Sequence, residues 1–303
     1  MSRLDAALRR ASTGVVAEIP ATLPRDPHTV ESVVPVQKEP ERPVVAATPP
    51  AASDDVETAE PLHEAAIKQR FGAAYVDKLV VSAATPGSVR ENYRRLAATL
   101  HHAQAETGIR ILMVTSAAPE EGKTLTATNI ALTFSESYHR RVLLIDGDLR
   151  RPSLAEVFQV PNVFGLSEVL TSQPERRASL LQITQRLSLL TAGTPNPDPM
   201  RALTSDRMKH LLAEAAAGFD WVIIDSPPVG ILTDAKLLAA MVDAAVLVVR
   251  AGKTRAELVQ RAIESVGRSR IVGVVLNRAL GGSQNGNDYY SYYDYSKRKQ
   301  QDA

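Results

Sequence analysis

From about residue 109 onward the chain alternates two patterns: short runs that are apolar at nearly every position, and longer stretches in which apolar residues return every three or four positions. The apolar runs are IRILMVTS (109 to 116), RRVLLIDGD (140 to 148), FDWVIIDSPP (219 to 228), AAVLVVRAG (244 to 252) and RIVGVVLNR (270 to 278). Runs of that length rich in Val, Ile and Leu read as strands, and their lack of polar alternation predicts burial on both faces. Helices are predicted over residues 89–106, from Lys123 to about Tyr138, over 201–218, from Asp234 to about Met241 and over 254–266. The outcome is an α/β fold with a mostly parallel central sheet flanked by helices on both faces. Ligands of such sheets collect beyond the carboxyl ends of the strands.

The pattern is absent from the first part of the chain. Residues 1–61 hold nine of the 19 prolines and no tryptophan or tyrosine. Such a segment buries too little apolar surface to offset the entropy of ordering it. Residues 1–79 are therefore expected to be a largely disordered Pro-rich region, 80–280 the folded domain, and 281–303 a flexible tail. One short amphipathic helix is possible over residues 2–12, where Leu4, Ala7, Leu8 and Ala11 share a face. There is no cysteine, so disulfides and thiolate metal sites are excluded. No apolar run reaches the ~20 residues that span a bilayer. The net charge of +1 gives no general reason to expect nucleic acid as a partner. The expected location is the cytoplasm.

The first strand runs into AAPEEGKT and a helix beginning near Lys123. That order, strand then loop then helix N-terminus, is what a phosphate-binding loop requires: amides converge on phosphate oxygens, Lys123 reaches the β- and γ-phosphates and the Thr124 hydroxyl ligates Mg²⁺. Ala117 stands where the usual motif has its first glycine. Asp146 and Asp148 end the second strand and Asp225 ends another. Carboxylates on that edge can hold Mg²⁺ and its waters beside a triphosphate, which makes the fold class a P-loop NTPase. Glu120 and Glu121 fit poorly, since carboxylates in such a loop repel phosphate unless they point outward or are neutralised by arginine. Arg150 and Arg151 are candidates for that neutralisation.

The ordered set VTSAAPEEGKT, VLLIDGDLRRPSL, VFGLSEVL, LLTAGTPNPDP, VIIDSPPVGILTDA, AAVLVVRAGKT and IVGVVLNR resembles the catalytic domain of bacterial tyrosine autokinases of exopolysaccharide and capsule biosynthesis. That resemblance covers residues 80 to 280. It implies a P-loop fold related to MinD- and ParA-type ATPases, with ATP and Mg²⁺ as cofactors. It implies nucleotide contacts from Glu121, Gly122, Lys123, Thr124 and Leu125, with Asn277 near the base. Thr124, Asp148 and Asp225 would serve the metal, with Lys123, Asp146 and Asp148 catalytic. It further implies activation by the cytoplasmic end of a membrane-embedded polysaccharide chain-length regulator, which would recruit this separate kinase form to the inner face of the membrane. The family's ExxRxxR helix, used in homo-oligomeric rings, is matched by Glu91 and Arg94, with Ala97 in the last place. The family commonly has glycine where Glu120 stands. The MinD/ParA subgroup has a lysine where Ala118 stands, which disfavours a partitioning or positioning ATPase. A degenerate nucleotide-binding scaffold is the third alternative.

Five of the eight tyrosines, Tyr289, Tyr290, Tyr292, Tyr293 and Tyr295, crowd into the tail behind the Gly- and Asn-rich LGGSQNGND. Basic residues follow these aromatics rather than alternating with them, unlike a base-stacking platform. In the family such a cluster is the phosphoacceptor. The mechanistic expectation is direct transfer of the γ-phosphoryl of ATP to these hydroxyls, with Asp146 taking the tyrosine proton.

Overall fold

In the computed structural model, which describes residues 69–172, 178–230 and 232–279, the five apolar runs supply five strands of a seven-stranded sheet. The strands are β1 (Ile111–Ser116), β2 (Val142–Asp146), β3 (Leu181–Gln182), β4 (Leu187–Leu190), β5 (Trp221–Asp225), β6 (Ala244–Arg250) and β7 (Ile271–Asn277). Their order is β3-β4-β2-β5-β1-β6-β7. Every pairing is parallel except β3 with β4. The helices are α1 (Gly87–Thr107), α2 (Lys123–Leu132), α3 (Leu154–Val157), α4 (Leu166–Thr171), α5 (Met200–Leu203), α6 (Asp206–Gly218), α7 (Thr233–Ala239) and α8 (Ala256–Val266).

The unbroken apolar character of the strands follows from a sheet covered on both sides. Successive side chains of β1 go to opposite faces. Leu112 and Val114 join a core with Leu100 of α1 and Ile130 of α2. Met113 joins a second core with Leu212 of α6, Leu238 of α7 and Ile263 of α8. Val259, Ala262, Ile263 and Val266 form the buried stripe of α8 at helical spacing. Full burial of one such Leu or Ile contributes about 1.5–3 kcal/mol. Trp221, fully buried, stacks on Phe134 with centroids 4.6 Å apart.

Several predicted bounds shift for identifiable reasons. The helix expected over 201–218 is two helices, because the Ser205 hydroxyl caps α6 by accepting from the Met208 amide. The helix starting at Lys123 is α-helical only to Leu132 and continues as a π-helical turn, Thr133–Ser137. The short elements α3, α4, β3 and β4 were not anticipated.

The expected boundary between residues 79 and 80 cuts through a packed segment. Phe71 and Leu79 are fully buried, and Phe71 lies 5.3 Å from the Phe158 ring. The Gly72 amide donates to Val157 O at 2.9 Å. Asn129 of α2 clasps the same segment, accepting from the Val80 amide and donating to Lys78 O. The suggested helix over 2–12 and the tail tyrosines lie outside the described residues. Among the described residues no helix is long and apolar enough to cross a membrane.

Candidate nucleotide site

Sheet register creates the site. Asp146 at the end of β2 is the register partner of Asp225 at the end of β5, and Asp225 is also paired with Val114 of β1. The carboxylates of two neighbouring strands thus meet beside the loop that leaves β1. That loop enters α2 through Gly122, whose φ of 94° lies in the left-handed region. A Cβ there would sit 2.1 Å from Asn277 Nδ2, so any other residue would be strained and would push that side chain aside. The first intrahelical bond of α2 joins Thr126 N to Gly122 O. The amides of Lys123, Thr124 and Leu125 precede it and have no intrahelical acceptor, which leaves a half-positive helix end over the site.

Lys123 points into this cluster. Its ammonium lies 3.2 Å from Asp148 Oδ2 and 3.8 Å from Asp225 Oδ1. Burial alone would lower its pKa, but the charges of Asp225 and Asp148 outweigh burial and hold it above the ordinary lysine value. Asp146 is fully buried, and its Oδ2 accepts from the Ser153 and Leu154 amides at 3.0 and 2.9 Å. Its Oδ1 accepts from the Asp148 amide at 3.2 Å. Burial, reinforced by the charge of Asp225, pushes its carboxyl up to about 7 despite those amides and Lys123. Asp225 is also fully buried, yet no backbone amide reaches either oxygen, which leaves it to the Lys123 ammonium and the Thr124 hydroxyl. Burial raises its pKa, and Lys123 and the Thr124 hydroxyl oppose that rise.

The donor set fits Mg²⁺. A buried carboxylate without a donor is costly unless a cation serves it. The Thr124 hydroxyl, 3.0 Å from the Ser153 hydroxyl, adds a neutral oxygen nearby. Among the described residues no three acidic or histidine side chains close on a point that could cage a metal by themselves. Mg²⁺ itself keeps several waters and takes phosphate oxygens in place of a full protein cage.

The two glutamates separate. Glu120 is exposed and adopts φ 61°, a left-handed backbone in the place where the resembling family has glycine. Glu121 turns its side chain inward: Oε2 accepts from the Ala118 amide at 2.9 Å, and Oε1 accepts from the Arg250 amide and the Thr254 hydroxyl. Among the described residues no arginine side chain pairs with either one, and Arg150 bonds Asp234 and Pro197 O instead. Arg151 is exposed and donates its backbone amide to Asp148 Oδ1. Asn277 Nδ2 donates to Glu121 O at 2.8 Å, and its Oδ1 accepts from the Arg278 amide. Both polar ends of Asn277 thus engage protein at the loop.

Ser153, Thr254 and Asp234 were not singled out from sequence. Only Ser153 had a local signal, since it follows the paired aspartates by a few residues. On α1, Glu91 lies 3.9 Å from Arg94 and 3.6 Å from Arg95, all of them solvent-accessible. Ala97 is fully buried, so the last place of the ExxRxxR pattern faces the core here.

The chain is 34% identical over 218 residues to tyrosine-protein kinase YwqD of Bacillus subtilis, covering 71% of this chain and 90% of that protein. It is 29% identical over 221 residues to the putative tyrosine-protein kinase CapB of Staphylococcus aureus, covering 72% and 96%. Among solved structures it is similar to the chimerical protein CapA2B2, with a TM-score of 0.62 and 29% identity over 68% of this chain and 91% of that one. The kinase domain of Escherichia coli tyrosine kinase ETK gives a TM-score of 0.58 and 33% identity, covering 64% and 78%. No family model matches the chain.

Proposed function

Because this chain belongs to the bacterial tyrosine-protein kinases, we propose that it transfers the γ-phosphoryl of ATP, with Mg²⁺, to its own tail tyrosines Tyr289, Tyr290, Tyr292, Tyr293 and Tyr295. The observation that carries the site assignment is the buried carboxylate of Asp225, served by no backbone amide and facing Lys123 at the N-terminus of α2. Mg²⁺ held by Thr124 and Asp148, with Asp225 ordering its waters, would neutralise charge on the phosphate oxygens. Gly122 and the amides of Lys123, Thr124 and Leu125 line the place for phosphate. Lys123 exchanges the Asp148 carboxylate for phosphate oxygens when nucleotide enters. In the transfer, the bond from the γ-phosphorus to the leaving ADP oxygen breaks, a bond to the tyrosine oxygen forms, and the phenolic proton passes to Asp146. A carboxyl at about 7 is matched to that task at neutral pH, and three backbone amides fix its orientation.

The tail tyrosines lie outside the described residues, and their role rests on their sequence and on the family. Phosphorylating all five adds on the order of 7 to 10 negative charges. That charge would loosen a homo-oligomer assembled through α1, where Arg94 is exposed and Glu91 half-buried. A membrane-embedded chain-length regulator would recruit the kinase to the inner face of the membrane and switch it on, tying the cycle to exopolysaccharide or capsule export. The test is mass spectrometry of the full chain after incubation with Mg-ATP, with and without the regulator's cytoplasmic segment. Phosphate on the five tyrosines that vanishes in Lys123→Met supports the reading. Free phosphate without phosphotyrosine replaces it with a regulatory ATPase, and neither product leaves a nucleotide-binding scaffold.

A further inference from the structure

We propose that Thr254 is a positioning residue for this reaction, acting through Glu121 to keep the phosphate loop receptive to nucleotide; the proposal rests on the kinase reading above. Glu121 immediately precedes Gly122 in a loop that must admit an anion, yet its side chain is a carboxylate and is only 2% exposed. Its oxygens have separate duties. Oε2 accepts from the Ala118 amide at 2.9 Å, which closes the loop on itself. Oε1 accepts from the Thr254 hydroxyl and, at 3.3 Å, from the Arg250 amide, which ties the closed loop to the turn after β6. Thr254 in turn accepts from the Arg250 amide at 3.3 Å, so its hydroxyl is held in place from behind. The Glu121 carbonyl is fixed separately by Asn277 at 2.8 Å.

These bonds place the negative charge of Glu121 on the protein side of the loop. The Thr254 hydroxyl is the one side-chain donor to this carboxylate among the described residues. Without it, Oε1 keeps only a long bond to the Arg250 amide, and hydrogen bonds to a charged group are the stronger kind to lose. A released carboxylate can turn toward the place where phosphate sits and repel it. Among the described residues the Thr254 hydroxyl bonds Glu121 and Arg250, not Lys123, Asp146, Asp148 or Asp225. Its effect therefore falls on nucleotide affinity rather than on the chemical step.

The test uses the full chain, with Kd for Mg-ATP, Mg-ADP and AMP, the KM and kcat of tail phosphorylation, and melting temperature. Thr254→Val and Thr254→Ala are expected to raise Kd and KM for Mg-ATP by roughly tenfold, the worth of one charge-assisted bond, with kcat much less changed. Thr254→Ser restores both. The penalty should shrink from ATP to ADP to AMP as phosphate charge is removed, a gradation that lost packing would not produce. In a Glu121→Ala background, Thr254→Val should add nothing to Kd. Unchanged Kd in Thr254→Ala, an equal penalty for all three nucleotides, or full additivity with Glu121→Ala would each overturn the proposal. Phosphotyrosine that persists in Lys123→Met would instead strike the kinase-site reading and leave the binding result standing.

Discussion

The ends of β2 and β5 carry the same side chain in the same register, equally buried, and treat it in opposite ways. Asp146 accepts from three backbone amides, whereas Asp225 accepts from none. The amides of Asp146 come from the turn after its own strand, where Asp148, Ser153 and Leu154 fold back over it. β5 is followed by Ser226, Pro227 and Pro228, and the prolines bring no amide to donate. One carboxylate is thereby held in a fixed orientation by backbone, while the other keeps its lone pairs for a ligand. The difference teaches that a motif aspartate's role depends on which donors the following turn supplies.

The largest expected effect comes from the cation that lets both carboxylates coexist. Lys123→Met should lower tail phosphorylation at least about a hundredfold, as loss of a preorganised charge in a water-poor site does. Quantitative phosphotyrosine mass spectrometry reads it, and a loss of only a few fold would mean that another group neutralises the phosphates. The next contrast is in stability. In EDTA, Asp225→Asn removes a buried charge that no backbone amide serves and should raise the melting temperature by about 2–4 °C per kcal/mol gained. Asp146→Asn presents an amide to backbone donors and should cost about 1–3 kcal/mol. If both substitutions move the protein in the same direction, the distinction between the two strand ends fails.

The same pair has a pH signature. The Asp146 carboxyl sits at about 7 in the folded chain against an ordinary 3.8. Between those values the folded state keeps a proton that the unfolded chain has released. Stability from this group is thus complete below about pH 4, declines as pH rises and is gone above about pH 7. In EDTA, the stability difference between wild type and Asp146→Asn should fall across that window, by about 1.4 kcal/mol for each unit in which the two states differ by a full proton. A difference that is flat with pH would mean that Asp146 titrates like an ordinary carboxylate.

Legibility from sequence follows the length scale of each signal. The long apolar strands were readable because burial on two faces leaves a run with no polar interruption. β4 was missed because LSLL is four residues with a serine inside, and β3 because two residues carry no period. The split of the helix over 201–218 had a readable sign in Ser205 followed by Asp206, a cap and an acidic first turn. Lys123, Asp148 and Asp225 could be grouped because strand ends of a parallel sheet share an edge. The destination of the Glu121 side chain could not be read, because its partners Arg250 and Thr254 are supplied by a turn more than a hundred residues away.

The smallest expected effect lies at Glu120, neighbour to Glu121 and its opposite: one carboxylate is buried and bonded, the other exposed. Its φ of 61° costs a non-glycine residue roughly 1–2 kcal/mol. Glycine there relieves the strain and removes the charge, but gives back about 0.4–1 kcal/mol through the greater freedom of the unfolded chain. Asparagine tolerates the left-handed backbone without that entropic loss, and glutamine removes only the charge. Glu120→Asn should therefore raise the melting temperature most, Glu120→Gly less, and Glu120→Gln hardly at all. All three should tighten Mg-ATP by a similar factor of roughly two to five, the range of an exposed charge interaction. Tightening in Gly and Asn but not in Gln would assign the effect to backbone geometry, and with it the reason a loop with one well-placed glutamate tolerates a second that is strained.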